Sequence, residues 1–287
     1  MIRALCASGG GTKGAYQVGV LQKWILDDGL DYDIMCGVSV GAINIAQLAQ
    51  SPRGELASSF DKLRDMWLSI DDSKIFRPWK WFGMLSALWK HSIVDSTPID
   101  DMLHVNINAD MISHAGRIIR VGAVCLETGE YRFGTEHDKD FVKWVAASSS
   151  YPPFFAPIKI EGKLWADGGL RNVTPIGEAI KLGATHIDVI MCTNPTLPLS
   201  YQGIKATPAV AIRSADIMLN QIMKHDLELT LLKNKLSEID PSFRHVELRI
   251  IYPKIELTPN SLEFDSEKIA MMLQLGYEDA CTHDKSI

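Results

Sequence analysis

Ser39 has the surroundings that most suggest chemistry in this sequence. It is the central serine of Gly37–Gly41, which reads Gly-Val-Ser-Val-Gly and fits the G-x-S-x-G pattern of a nucleophile elbow. In such an elbow the chain turns sharply from a strand into a helix, and glycines on both sides leave room for the turn. The pattern predicts a serine that projects at a helix N-terminus, either as a nucleophile or only as a helix cap.

A glycine-rich loop upstream of the elbow offers backbone donors for an anion. Gly9-Gly10-Gly11-Thr12-Lys13-Gly14 has three consecutive N–H groups unobstructed by side chains, and the helix behind it adds its dipole. The loop could bind a nucleotide phosphate, since it also fits G-x-G-x-x-G with Asp31 or Asp33 about twenty residues on, which predicts a dinucleotide-binding oxidoreductase. It could instead bind the oxyanion that forms when a hydroxyl attacks an ester. Only the second choice explains Ser39.

The two motifs in this order resemble those of the patatin-like phospholipase family, whose third mark is an Asp-Gly-Gly or Asp-Gly-Ala turn far downstream. This chain has Asp167-Gly168-Gly169, and residues 146–152 and 172–175 resemble the family's flanking stretches. The resemblance covers most of residues 1–281. It implies a calcium-independent hydrolase that cleaves carboxylic esters of phospholipids or lysophospholipids through an acyl-serine intermediate. A scaffolding protein that keeps the fold without catalysis is the remaining alternative.

The resemblance also implies a Ser–Asp dyad without histidine. An aspartate with an ordinary pKa of about 3.9 is a weak base, so desolvation would have to raise its pKa. The rival is a Ser-Asp-His triad, whose histidine would follow Asp167 at His186, His225, His245 or His283. The expected site comprises Ser39 and Asp167 as the catalytic pair, Gly9, Gly10, Gly11, Thr12, Lys13 and Gly14 as the oxyanion loop, and Gly37, Gly41, Gly168 and Gly169 as the glycines of the two turns. Lys13 is expected to support the loop, to attract a headgroup phosphate or to be a solvated cation on the first turn of the helix.

Composition bounds the remaining function classes. The 287 residues suffice for a single patatin-like domain over residues 1–287, and the net charge of −6 offers no basic field for nucleic acid. Five widely spaced cysteines are expected to be reduced and mostly buried, and no metal-binding spacing occurs, so neither metal nor cofactor is predicted. Because no signal sequence and no apolar run of about eighteen residues is found, we expect a cytoplasmic protein, with peripheral membrane contact as an open possibility.

The elements that must position the motifs alternate between strand and helix. Apolar runs at 2–7 and 34–36, each followed by a helical pattern at 15–26 and 42–48, predict two βα units. They indicate an α/β fold with three layers, in which a mainly parallel central sheet has helices on both faces. Later patterns predict strands at 117–126, 131–133, 164–166, 186–192 and 246–252, and helices at 141–147, 177–182, 209–236 and 266–277, the last capped by Ser266.

A lid-like helical insertion is predicted at about 52–104. Phe60, Leu63 and Trp67 form one amphipathic stripe within it. Its second half places three tryptophans beside cations: Trp79, Trp81 and Trp89. The favoured interpretation is a lid that packs these tryptophans over the mouth of the active site, and the alternative is peripheral contact with a membrane interface.

Overall fold

The computed structural model describes residues 1–80, 89–195, 207–240, 243–258 and 260–282. Its strands are β1 Arg3–Ala7, β2 Ile34–Val38, β3 Ile118–Cys125, β4 Tyr131–Thr135, β5 Ile158–Ile160, β6 Lys163–Asp167, β7 His186–Ile190 and β8 Glu247–Ile251. Its helices are α1 Gly14–Gln22, α2 Val40–Leu48, α3 Leu56–Leu68, α4 Asp72–Ile75, α5 Thr97–Asn106, α6 Ala109–His114, α7 Phe141–Ser148, α8 Ile176–Lys181, α9 Thr207–Ser237 and α10 Ser266–Thr282.

The described strands pair into one eight-stranded sheet. Its order is β5-β6-β3-β2-β1-β7-β8, with β4 paired to β3. The centre from β3 to β8 is parallel, whereas β4, β5 and β6 join antiparallel. The predicted, mainly parallel sheet is thus confirmed. Because β1 and β2 are parallel neighbours, their carboxyl ends lie side by side. The glycine loop after β1 and the elbow after β2 therefore leave the sheet on the same side.

Helices cover both faces of this sheet, as expected. Alternate strand residues point to opposite faces, so that Leu5 and Met35 pack under α1, α2, α3, α7 and α10. Cys6 and Cys36 belong to the second core, which α8 and α9 cover. The resulting three layers form an α/β fold in which the motif-bearing turns lie between helices of both outer layers.

The described part of the insertion at 52–104 holds α3, α4 and most of α5. The predicted stripe of Phe60, Leu63 and Trp67 is buried against the first core. Trp79 donates from its indole nitrogen to the Ser92 carbonyl at 3.2 Å, whereas Trp89 is 75% exposed. The third tryptophan of the predicted cluster, Trp81, lies outside the described residues.

Several local predictions need correction. Asp265, and not Ser266, caps α10, because its carboxylate accepts from the Lys268 N–H at 2.9 Å. The first helix changes at Lys23 into a π-helical turn that runs to Asp27. Strand β5, which has only three residues, was not predicted. Cys6, Cys36, Cys125 and Cys192 are buried free thiols as predicted, and Cys281 is exposed. A helix with the length and apolarity needed to cross a bilayer does not occur among the described residues.

Candidate active site

The elbow at Ser39 is a strained turn between β2 and α2. Ser39 has φ 56° and ψ −128°, a conformation that costs a residue with a side chain about 1–3 kcal/mol. A Cβ atom on Gly41 would lie 2.3 Å from the Ala7 carbonyl oxygen, so that only glycine lets α2 start this close to β1. The Ser39 side chain is half-buried at the start of a helix. The predicted strand–turn–helix context of the serine is therefore present.

Asp167 reaches Ser39 because β2 and β6 meet head-on along one edge of β3. In the parallel pair, Val38 at the end of β2 is opposite Gly122. In the antiparallel pair, Asp167 at the end of β6 is opposite Ala123, the next residue of β3. The other edge of β3 is occupied by β4. The two strands thus end facing each other, which brings the elbow and the Asp-Gly-Gly turn together.

Asp167 is a buried carboxylate that has no cation beside it in the part of the chain that the structure describes. It is 2% exposed, and none of the ion pairs among the described residues includes it. Burial raises its pKa to about 7, and this rise is partly opposed by the Ser39 hydroxyl and by the Gly169 N–H, which donates to the carboxylate at 2.7 Å. Close to neutral pH the group therefore exchanges its proton readily beside a hydroxyl.

The C-terminal end of α7 and the residues that follow it hold both halves of this pair. The Ser39 N–H donates to the Ser148 hydroxyl at 3.0 Å, and the Asp167 N–H donates to the Ser150 carbonyl at 3.0 Å. Ser148 and Ser150 are themselves buried. This short segment thereby fixes the elbow and the Asp-Gly-Gly turn relative to each other.

The glycine loop lies against the elbow, but most of its amides are already engaged. A Cβ atom on Gly9 would lie 3.2 Å from the Ser39 Cβ. Among the described residues, the Gly10 and Gly11 N–H groups have no hydrogen-bond acceptor. The other four amides donate elsewhere: Gly9 to Val173 at 3.2 Å, Thr12 to Ser261 at 2.8 Å, Lys13 to Gly10 at 3.2 Å, and Gly14 to Gly11 and Thr12. Within the described residues, the amides of Gly10 and Gly11 are thus the ones of this loop that are still available to an anion, whereas the Thr12 N–H is engaged by Ser261.

A buried polar network behind the loop was not predicted. The Trp67 indole N–H donates to Asn44 Oδ1 at 2.7 Å, and Asn44 Nδ2 donates to Gln17 Oε1 at 2.9 Å. Gln17 Nε2 in turn donates to the Ser8 carbonyl at 2.8 Å, one residue before the glycine loop. The network joins α3, α2 and α1 to the loop. The polar residues Gln17 and Asn44 stand among apolar residues of short helices, and this pattern could have predicted the network.

A cavity of about 1330 Å³, a volume that includes its opening to solvent, adjoins Ser39 and Asp167. The apolar part of its lining comes mainly from the insertion and from the loops after α7 and β8: Ile43, Met66, Trp67, Ile70, Ile75, Ile99, Met102, Phe154, Phe155, Leu262 and Phe264. Trp79 and Trp89 are not part of the lining. The insertion does form a wall of the cavity. The tryptophan of the insertion that lines this wall is Trp67, however, and neither Trp79 nor Trp89 does.

The histidines of the rival triad lie away from this cavity. His186 begins β7 and His245 lies just before β8, at the amino ends of strands whose carboxyl ends face the site. His225 is exposed on α9. His283 falls outside the described residues. No histidine within the described part of the chain lines the cavity.

The acidic residues of the dinucleotide pattern are also misplaced. Asp33 lies immediately before β2 and accepts from the Arg3 N–H at 2.8 Å, at the edge of the sheet opposite the glycine loop. Asp31 is paired with Arg117. Dinucleotides bind outside the carboxyl ends of the strands, so neither carboxylate can reach a ribose bound at the loop. The alternative of a dinucleotide-binding oxidoreductase loses its support.

The fold and these three turns define the class of protein. The family described as patatin-like phospholipase matches residues 5–180, and the chain belongs to this family. A curated relative is the uncharacterized protein YjjU of Escherichia coli (strain K12), which is 22% identical over 188 residues. This match covers 65% of the present chain and 51% of YjjU, so that the chain spans about half the length of that relative.

A solved structure with a similar fold is VipD from Legionella pneumophila. The comparison covers 100% of this chain and 68% of VipD, with a TM-score of 0.48 and 14% identity. At this distance the likeness adds nothing on function.

Proposed function

We propose that this protein is a serine lipid acyl hydrolase that cleaves carboxylic ester bonds of phospholipids or lysophospholipids. The observation that carries the proposal is the placement of Ser39 beside Asp167, a buried carboxylate whose pKa is raised to about 7 and which has no ion-pair partner among the described residues. Membership of the patatin-like phospholipase family supports a lipid ester as the substrate. The apolar wall of the cavity supports an acyl chain as its occupant.

In the proposed first step the Ser39 hydroxyl attacks the ester carbonyl while the Asp167 carboxylate accepts its proton. The carbonyl oxygen becomes an oxyanion that the Gly10 and Gly11 N–H groups stabilise, each contributing roughly 3–4 kcal/mol to the transition state. Collapse of the tetrahedral intermediate breaks the bond between the acyl carbon and the alkoxy oxygen. Asp167 returns the proton to the leaving alcohol, and acyl-Ser39 remains.

In the second step water attacks acyl-Ser39 with Asp167 again as the base. The bond between the acyl carbon and Ser39 Oγ breaks, Asp167 delivers the proton to Ser39, and the fatty acid leaves. Asp167 can serve in both directions because a pKa of about 7 makes gain and loss of the proton similarly easy at neutral pH. The distant positions of His186, His225 and His245 favour this dyad over a triad.

The proposal is tested with a fluorophosphonate probe and with a mixed lipid extract. We expect the probe to label Ser39, and mass spectrometry to show free fatty acids from the wild type but not from Ser39→Ala. Ser113→Ala, at an exposed serine of α6, is the matched control and should keep both labelling and product formation. Labelling at another residue, or fatty acid release by a folded Ser39→Ala variant, would reject the assignment.

Peripheral membrane contact through Trp79, Trp81 and Trp89 is a second part of the proposal. It is supported by the 75% exposure of Trp89, a large aromatic side chain of the type enriched at membrane–water interfaces. Anionic vesicles should shift the tryptophan emission of the wild type to shorter wavelengths, and Trp89→Phe should reduce this shift. An unchanged wild-type spectrum would remove the membrane contact but leave the hydrolase proposal intact.

A further inference from the structure

One end of the cavity beside Ser39 is polar and carries charges of both signs. Arg213, Asp216 and Asn220 follow one another at spacings of three and four along α9, which places them on one helix face, and all three line the cavity. Lys13 from the glycine loop and Glu256 from the segment after β8 line it as well. Two cations and two carboxylates thus line the same part of the cavity.

Most of these groups are at least partly buried, whereas Glu256 is exposed, and their charges act on each other. Lys13 is only 9% exposed and forms no ion pair within the described part of the chain. Burial raises the pKa of Asp216. The cations Lys13 and Arg213 lower this pKa, and the carboxylate of Glu256 raises it, so each of these three charges acts on Asp216. Asn220 Oδ1 is buried without a hydrogen-bond donor among the described residues. A buried acceptor of this kind is costly unless a ligand supplies the donor.

We infer that this polar end is a headgroup subsite for zwitterionic phospholipids or lysophospholipids whose cationic end is a primary ammonium, as in phosphoethanolamine. The inference rests on the proposed acyl hydrolase function and names its substrate class. The headgroup phosphate lies between the Lys13 ammonium and the Arg213 guanidinium. The headgroup ammonium donates to Asn220 Oδ1 and to the carboxylates of Asp216 and Glu256.

Two other common headgroups fit this arrangement less well. A choline carries the same charge but has three methyl groups in place of N–H donors, so that Asn220 Oδ1 stays without a partner. A phosphoglycerol headgroup satisfies the cations but brings no positive charge to the half-buried Asp216 or to the exposed Glu256, so that the ligand does not offset the cost of burying Asp216. A site built around buried hydrogen-bonding groups discriminates strongly against ligands that leave them unpaired.

The experiment compares phosphatidylethanolamine, phosphatidylcholine and phosphatidylglycerol with identical acyl chains. Each is presented at the same mole fraction in mixed micelles of one nonionic detergent, which keeps the surface charge low. The wild type should show a kcat/KM for phosphatidylethanolamine about tenfold above that for either other lipid, the size expected for a lost charge-assisted hydrogen bond.

Asp216→Asn and Asn220→Leu should each lower kcat/KM for phosphatidylethanolamine and bring the three lipids closer together. Circular dichroism and thermal unfolding confirm that each variant is folded before its rates are compared. Glu228→Gln, at an exposed glutamate of the same helix, is the matched control and should leave the preference unchanged. Phosphatidylcholine or phosphatidylglycerol hydrolysed as fast as phosphatidylethanolamine by the wild type would overturn the subsite, as would an undiminished preference in a folded Asp216→Asn variant.

Failure of the subsite and failure of the hydrolase proposal give different results. If the fluorophosphonate labels Ser39 and a short neutral p-nitrophenyl ester is cleaved, but the headgroup makes no difference, only the subsite is wrong. If Ser39 is neither labelled nor needed for cleavage of any ester, the proposed function itself is wrong, and the subsite with it.

Discussion

Two aspartates in the same sheet are equally buried but differ in their neighbours. Asp188 in β7 is 3% exposed and lies between Arg3 at 2.9 Å and Arg249 at 2.7 Å. Asp167 at the end of β6 is 2% exposed and has, within the described residues, a hydroxyl and an amide as neighbours but no cation. Burial of a carboxylate is costly in both places, and only Asp188 has counter-charges that offset the cost.

The difference separates a structural carboxylate from one suited to proton transfer. Two guanidinium groups hold Asp188 in the core as part of an ion-pair cluster, and one of them, Arg249, also stacks over Trp24 at 3.9 Å. Asp167 keeps the penalty of burial, and its pKa rises to about 7 as a result. A missing partner, and not burial itself, is what marks Asp167 as a candidate base.

The largest expected effect is on activity. Asp167→Asn should lower kcat/KM for a lipid ester by at least about 10³-fold, because an amide cannot accept the Ser39 proton. Asp188→Asn, measured per folded molecule, should retain activity, since its side chain lies within β7 and its ion pairs. Comparable losses in both folded variants would show that the contrast between the two aspartates is not a catalytic one.

The second effect concerns stability, for which Asp188 should matter more than Asp167. Asp188→Asn should destabilise the protein by about 3–5 kcal/mol, because it leaves two half-buried guanidinium groups without their counter-charge. Urea unfolding monitored by circular dichroism measures this loss. Asp61→Asn, which removes an exposed pair with Arg64 on α3, should cost no more than about 1 kcal/mol. A loss at Asp188 no larger than that at Asp61 would contradict a structural role for the cluster.

The third effect is a stability gain at the proposed active site. Between about pH 4 and pH 7 the folded protein keeps a proton on Asp167 that the unfolded chain has released, so that wild-type stability falls as pH rises through this window. Asp167→Asn removes this dependence and still offers an acceptor to the Gly169 N–H. Burial raises the pKa of Asp167 from 3.8 to about 7. At pH 8 the free energy of unfolding of the Asp167→Asn variant should therefore exceed that of the wild type by at most roughly 4 kcal/mol.

Urea unfolding of both proteins at pH 4 and pH 8 measures this gain. The two should differ little at pH 4 and clearly at pH 8. An Asp167→Asn variant that is less stable than the wild type at pH 8 would mean that the burial of Asp167 is compensated in a way its neighbours do not reveal.

Much of the fold could be predicted because its signals are local. The glycine turns at Gly37–Gly41 and Asp167–Gly169, each beside a short apolar run, identify strand ends without any knowledge of the rest of the chain. Parallel pairing then follows from two successive βα units. These features placed the serine and the aspartate on turns, whereas their pairing was expected only from the family resemblance.

The features that could not be predicted depend on contacts between distant segments. Nothing local shows that β2 and β6 share one edge of β3, which is what unites Ser39 with Asp167. Likewise, Thr12 looks like an oxyanion donor in the sequence because its acceptor, Ser261, lies far along the chain. That no described residue brings a cation close to Asp167 is equally a property of the packed structure.

The smallest predicted effect is the pH dependence of the reaction, and it sharpens the contrast most directly. The base must be ionised, so kcat/KM of the wild type should rise about tenfold per pH unit below a midpoint near pH 7 and become constant above it. Asp188→Asn should leave this midpoint in place.

A carboxyl group ionises with almost no heat, whereas an imidazole releases its proton with substantial heat uptake. The midpoint should therefore stay constant between 10 °C and 30 °C if Asp167 is the base. A midpoint that falls clearly on warming would assign the titration to a histidine, and the dyad would have to be abandoned.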